Sequence, residues 1–203
     1  SRVSRGLGDV YKRQLIKEPL DHPIIRPSVE AMAETYELAV SEPELASATS
    51  PYTGESINRF LHIAESNEDL FLQNKMQRKL GQLTGTCFQR CVGMDAFNAL
   101  HSVTFEIDEK HNTEYHKNFI NFLTEMHKYN LVIGGAMTDV KGDRSKLPHE
   151  QEDEDVYLRI VKRTQDGVYV KGAKAHQTGC INSHWMVVML SLIHISEPTR
   201  HTR

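Results

Sequence analysis

The sequence predicts an α+β fold, with a helical N-terminal domain to about Asn130 and then the opening strands of a β domain. Three observations predict it. From Arg26 to Asn130, apolar residues recur mostly at helical spacing. Beyond Asn130, β-branched residues enter and short segments alternate apolar and polar positions around turn residues. The length of 203 residues and the ordinary composition suit one or two small globular domains.

The two ends stand outside this pattern. Residues 1–14, "SRVSRGLGDVYKRQ", and 190–203, "LSLIHISEPTRHTR", can be written with reverse-complementary codons. Gln14 pairs with Leu190, Arg13 with Ser191 and Lys12 with Leu192, and the pairing continues unbroken to Ser1 and Arg203. Both ends read as one DNA adapter translated in two orientations, and they are set aside as scars. Leu15 to Met189 is then expected to be a fragment, with residues 15–130 helical and 131–189 the truncated start of a β domain.

In the helical part, "RPSVEAMAETYELAVSE" opens with a Pro-Ser pair and carries Val29, Met32, Tyr36 and Leu38 at helical spacing. "PYTGES" is a turn-rich break, after which Ile57, Phe60, Leu61 and Ala64 suggest a second short helix. "NEDLFLQNKMQRKLGQL" is a third, with Asn67 as its cap and acidic residues in its first turn. "TGTCFQRCVGMDAFNAL" reads as one helix through Leu100 and beyond. "TEYHKNFINFLTEMHKYN" places Phe119, Ile120, Leu123 and Met126 on one face. Then "LVIGGAM" is a strand, "TDVKGDRSKLPHEQEDED" a long polar loop, and "VYLRIVKR" and "VYVKGAKAHQ" a hairpin around "TQDG". "HWMVVM" begins another strand.

The ends hold six of the 24 Lys/Arg and two of the 27 Asp/Glu, so the remaining segment has a net charge of −7. That argues against nucleic-acid binding through a basic surface. No apolar run is long enough to span a membrane. Three unevenly spaced cysteines do not form a secreted disulfide framework, so the expected compartment is a reducing cytoplasm.

Cys87 and Cys91, four apart in a helix, would share one face. That arrangement suits two ligands of one metal and suits a disulfide poorly, but on spacing alone core packing of two small hydrophobes is the favoured reading, being common for free Cys. Zinc or an iron–sulfur cluster needs further Cys or His. Cys180 is the other thiol, and nothing in the sequence places it near the pair. "GGAMTDVKGDR" runs from a strand into a polar loop whose amides, hydroxyl and arginine can orient a phosphate-bearing cofactor, or simply be solvated. "GAKAHQTGCINSH" crowds Lys174, His176, Gln177 and Thr178 at a strand end. His176 and His184 read as hydrogen-bonded or surface residues, and His111, His116 and His127 as surface residues.

Together "LDHPIIRPSVEAMAETYELA", "KMQRKLGQLTGTCFQRCVGMDAFNA", "EYHKNF", "GGAMTDVKGDR" and "GAKAHQTGCINSH" resemble the N-terminal part of the 4-hydroxybutyryl-CoA dehydratase/vinylacetyl-CoA delta-isomerase family. The resemblance covers essentially all of Leu15 to Met189. The wider superfamily includes flavin-dependent 4-hydroxyphenylacetate 3-hydroxylases and has the acyl-CoA dehydrogenase fold. The resemblance implies that Cys87 and Cys91 ligate a 4Fe–4S cluster whose other ligands, a His and a Cys, lie beyond residue 189. It implies FAD contacts at Met137, Thr138, Lys141, Asp143, Arg144, Gln177 and Thr178, and a catalytic role for Gln89 and Thr178. Two departures are Cys180, where a small residue such as Ser is expected, and Val140, where related flavoproteins often have Pro.

The implied partners are a CoA thioester and, in the parent enzyme, a homotetramer. The implied chemistry is dehydration of 4-hydroxybutyryl-CoA to crotonyl-CoA. The hydrogen on the third carbon is not acidified by the thioester, so one-electron chemistry by the flavin and a Lewis-acidic iron are needed. The fragment alone is expected to be inactive. A phenol-hydroxylating flavin monooxygenase of the same fold needs no cysteine pair, and a non-enzymatic helical module would only pack one.

Overall fold

The structure, a computed structural model, describes residues 10–11, 14–143, 145–177 and 179–190. A two-residue antiparallel pair, β1 (Val10–Tyr11) and β2 (Gln14–Leu15), precedes the helical part. Helix α1 (Arg26–Ser41) has a proline in its first turn, which needs no donor there, and buries Ala31, Met32, Thr35 and Leu38. The short α2 (Pro43–Ala46) leads into an antiparallel hairpin of β3 (Ser47–Thr49) and β4 (Ser56–Asn58). Long helices α3 (Asn67–Thr84), α4 (Cys91–His111) and α5 (Tyr115–Lys128) follow.

The second short helix is absent. Ile57 lies in β4, and Phe60 and Leu61 form one 3-10 turn. Polar groups decide this. The Asn58 side chain accepts from the Phe60 N–H and donates to the Thr35 carbonyl at 2.7 Å. The Arg59 guanidinium donates to the carbonyls of Leu45 and Ser47 at 2.8 and 2.6 Å. These bonds stitch the hairpin onto α1 and α2 in place of an i→i−4 ladder. The cap of α3 also shifts by one residue: Ser66 accepts from the Asp69 N–H, and Asp69 accepts from the Ser66 N–H in return.

Asn130 closes the helical part onto this hairpin. Its side chain accepts from the Asn58 N–H and its carbonyl accepts from the Tyr36 hydroxyl. The chain then enters β5 (Ile133–Ala136), which pairs in parallel with β8 (Trp185–Val188), the register running from Ile133↔Trp185 to Ala136↔Val188. Between them lie the polar loop and an antiparallel hairpin, β6 (Arg159–Thr164) and β7 (Gly167–Lys171), as the alternation predicts. The β7 side chains are exposed along its whole length. No described helix is long and apolar enough to cross a membrane.

Two cores form. One joins Leu38, Leu45, Phe60, Met76, Leu80 and Met94 between α1, α2, α3 and α4. The other joins Ile57, Leu61, Phe97, Phe119, Leu123 and Ile133, and so reaches from the helices into the first strand. Helix α4 meets β5 at backbone range. A Cβ on Gly93 would fall onto the Ile133 carbonyl oxygen, and one on Gly135 would fall onto the Val92 side chain. Only hydrogen at both positions permits this approach.

His127 departs from the surface reading, being 2% exposed. Its Nε2–H donates to the Leu61 carbonyl at 2.9 Å, and its Nδ1 accepts from the Ser50 hydroxyl at 2.8 Å. The neutral ring is therefore the bonded form, and burial pushes its pKa down. His116 is half-buried, with its Nδ1 3.0 Å from the Thr104 hydroxyl. His184 is hydrogen-bonded as expected, accepting from the Val132 N–H.

Two outcomes follow from this packing. Gly93→Ala should cost about 1–3 kcal/mol, because the obstructing atom is backbone. It should appear as a lower urea midpoint at an unchanged slope. A lowered histidine pKa favours folding in full above the unfolded value of about 6.5, and that contribution is lost as pH falls through the folded value. Urea midpoints should thus fall between pH 7.5 and 5.5, and His127→Gln should flatten that fall.

Candidate functional site

Helix α3 ends where Gly85 turns left-handed at φ 62°, its N–H bonding the Gly81 carbonyl. The chain then runs irregularly to Arg90, and α4 begins at Cys91. The single helix expected through both cysteines is therefore broken: Cys87 lies in the linker and Cys91 at the first helical position. Gln89, between them, is itself left-handed at φ 68°. For a non-glycine residue that costs roughly 1–2 kcal/mol, so its surroundings must hold it. They do so through the side chain. Its Nε2 donates to the Ser28 carbonyl and hydroxyl at 2.8 and 2.7 Å, and its Oε1 accepts from Asn182 Nδ2 at 2.9 Å.

Arg90 is sealed at 1% exposure. Its guanidinium donates to Thr35 Oγ1 at 3.1 Å and reaches the Leu131 carbonyl at 3.4 Å. It lies over the rings of Tyr36 and Phe60 at 4.9 and 5.1 Å. Burial pushes its pKa down to about 10, which leaves it a cation at neutral pH.

Within this frame Cys87 is exposed and Cys91 is half-buried. The Gln89 N–H points at Cys87 Sγ, 3.4 Å away. Burial pushes the Cys91 thiol up, and neighbouring Cys87 adds to that, while the N–H groups of Val92 and Cys91 at the helix start pull it down. Helix-start amides aimed at sulfur favour thiolate and hence ligation. Among the described residues no three His, Cys, Asp or Glu gather as a metal set.

Through the Gly93–Ile133 approach, α4 positions β5, and β5 runs directly into the first loop. Met137, Thr138 and Lys141 are exposed there. The Asp143 carboxylate accepts from the Ser145 hydroxyl and N–H at 2.6 and 2.9 Å, which holds it below the usual carboxylate range. Gln151 braces the loop, donating to the Asp143 carbonyl and accepting from the Asp143 N–H. The second loop lies beside the first. The Ala175 N–H donates to the Thr138 carbonyl at 2.9 Å, and Gln177 Nε2 reaches the same oxygen at 3.4 Å. Lys174 Nζ bonds the Asp139 carboxylate at 2.6 Å. His176 is exposed, and Arg144 and Thr178 lie outside the described residues.

The structure thus sets Cys87, Gln89 and Cys91 together at one helix start and Met137, Thr138 and Gln177 in two adjoining loops, and adds other residues. Cys180 is exposed on a one-turn 3-10 helix, Cys180–Asn182, yet its segment does reach the cysteine linker. A Cβ on Gly179 would sit 2.7 Å from that of Gln89. Ser28, Arg90, Gln151 and Asn182 escaped the sequence reading. Periodicity cannot flag them, because Gln89 meets Ser28 across 61 positions and Asn182 across 93.

The family model for the 4-hydroxyphenylacetate 3-hydroxylase N terminal matches residues 7–201. The 4-hydroxybutyryl-CoA dehydratase/vinylacetyl-CoA-Delta-isomerase of Clostridium aminobutyricum is 52% identical over 177 residues, covering 86% of this chain and 36% of that protein. A solved oxygen-tolerant archaeal 4-hydroxybutyryl-CoA dehydratase from N. maritimus superposes with a TM-score of 0.85 at 68% identity, over 89% of this chain and 36% of that one. The oxygenase component of 4-hydroxyphenylacetate 3-monooxygenase, solved with FAD, superposes at 0.60 with 21% identity, over 81% of this chain and 34% of that one. This second likeness speaks to the fold alone, which is acyl-CoA dehydrogenase-like in both. The chain spans about a third of the length of these relatives. It belongs to the 4-hydroxyphenylacetate 3-hydroxylase N-terminal family and, within that fold, is homologous to the 4-hydroxybutyryl-CoA dehydratases.

Proposed function

We propose that the chain is the N-terminal part of a FAD- and 4Fe–4S-dependent lyase that dehydrates 4-hydroxybutyryl-CoA and isomerises vinylacetyl-CoA. The observation that carries this reading is the Cys87/Cys91 pair, held around a buried Gln89 on the helix that packs against the strand feeding the first loop. Homology to the dehydratase named above supports it. The phenol-hydroxylating alternative leaves the cysteine pair without a purpose.

In this reading Cys87 and Cys91 hold two positions of the cluster, and the remaining ligands come from chain beyond this segment. The donor set fits, since both thiols are free and the amides of Cys91 and Val92 at the helix start face the Cys91 sulfur, lowering a pKa that burial holds up. Met137, Thr138, Lys141, Asp143 and Gln177, with Arg144 and Thr178, would contact FAD. The carbonyl of Thr138 is taken by Ala175, so its exposed hydroxyl and the Met137 side chain remain free for a ligand. Gln89 and Thr178 are assigned to the substrate. With its amide bonded at both ends, Gln89 would act from a fixed orientation. When bound, the cluster supplies a Lewis-acidic iron and the flavin a one-electron acceptor. The substrate is a CoA thioester and the parent assembly a homotetramer.

The test is anaerobic reconstitution of the full-length protein with iron, sulfide and FAD. Crotonyl-CoA should form from 4-hydroxybutyryl-CoA. Cys87→Ser and Cys91→Ser should each remove the visible cluster absorbance and lower turnover by at least about 100-fold. Oxygen-dependent hydroxylation of 4-hydroxyphenylacetate, with no cluster absorbance, would instead establish the monooxygenase. For the 203-residue chain alone, no turnover is expected. Alkylation followed by mass spectrometry should label exposed Cys87 and Cys180 before Cys91, whose thiol is half-buried and raised.

A further inference from the structure

The two loops assigned to flavin contact leave strands β5 and β7, and polar loops in water have no intrinsic tendency to adhere. Lys174 and Asp139 join them. Lys174 Nζ lies 2.6 Å from Asp139 Oδ1 and 3.0 Å from the Met137 carbonyl. Their side chains are 6% and 12% exposed, although both sit in loops. The two residues also form an antiparallel backbone bridge, flanked by the bond from the Ala175 N–H to the Thr138 carbonyl.

We propose that Lys174 and Asp139 form a positioning clamp, fixing the main chain at Met137 and Thr138 against Ala175 and Gln177 so that both loops address one ligand. This rests on the flavin reading of the loops. Neither residue belongs to either hydrophobic core, so the pair has little part in holding the helices. Its geometry is specific. One ammonium meets a carboxylate of the first loop and a carbonyl two residues before it, which sets the orientation of the intervening Thr138. Replacing Lys174 alone leaves the Asp139 carboxylate without this ammonium, whereas replacing both is milder.

The clamp is tested by separating loop order from flavin binding. In the 203-residue chain, Lys174→Met should speed hydrogen exchange at the Ala175 amide about tenfold or more, with helical melting by circular dichroism unchanged. The double variant Lys174→Met with Asp139→Asn should recover much of that protection. In the full-length protein, Lys174→Met should weaken FAD binding about tenfold and shift the flavin absorbance band, and the double variant should restore both in part. Unchanged Ala175 protection in Lys174→Met overturns the clamp whatever the flavin result. Loosened loops with unchanged FAD affinity overturn its positioning role. A wild-type full-length protein that binds no FAD overturns the flavin reading itself, and the clamp's link to a ligand falls with it.

Discussion

The burial of one guanidinium conditions much of what surrounds it. Arg90 is enclosed among Thr35, Tyr36, Phe60 and Leu131, four residues drawn from α1, the 3-10 turn and the approach to β5. A cation removed from water costs several kcal/mol unless dipoles and aromatic faces replace its hydration. The backbone before it is fixed separately, by the bonds of the Gln89 side chain to Ser28 and Asn182. Gln89 before it is held left-handed, and Cys91 after it begins a helix. The relation between the two cysteines is thus imposed by a polar centre and not by helical regularity.

The same centre explains how a thiol pair and a loop come to be neighbours. Helix α4 starts at the cysteine and, two residues later, touches the Ile133 carbonyl through Gly93. Strand β5 begins at Ile133 and ends at Ala136, one residue before the exposed Met137. There is no slack between these points. A side chain at Gly93 or Gly135 would push helix and strand apart and separate the two halves of the site.

Much of this architecture was legible in the sequence, and the misses have physical causes. The 3.6-residue pattern located α1, α3 and α5, and alternation around "TQDG" located the β6–β7 hairpin. Ile57 to Ala64 was misread because a short apolar run cannot be told from a helix without knowing where Arg59 finds its acceptors. The cysteine helix was misread because periodicity resumes past Gln89 and hides the left-handed turn at that one residue. His127 looked superficial because its partners, Ser50 and Leu61, are distant in sequence. The roles assigned to Cys87, Cys91 and the loop residues came from family likeness, since spacing alone favoured core packing.

The parallel ladder of β5 and β8 carries a kinetic implication. The bond from the Val132 N–H to His184 spans 52 positions. Closing a loop of that length costs on the order of 3–4 kcal/mol of chain entropy before any contact is repaid. The helical part carries closures as long, the Tyr36 hydroxyl meeting the Asn130 carbonyl across 94 positions and Gln89 meeting Ser28 across 61. Folding governed by pairings this far apart is slow. Both loops lie within the stretch that the β5–β8 pairing closes, so each takes its place only once Ile133 and Trp185 have met.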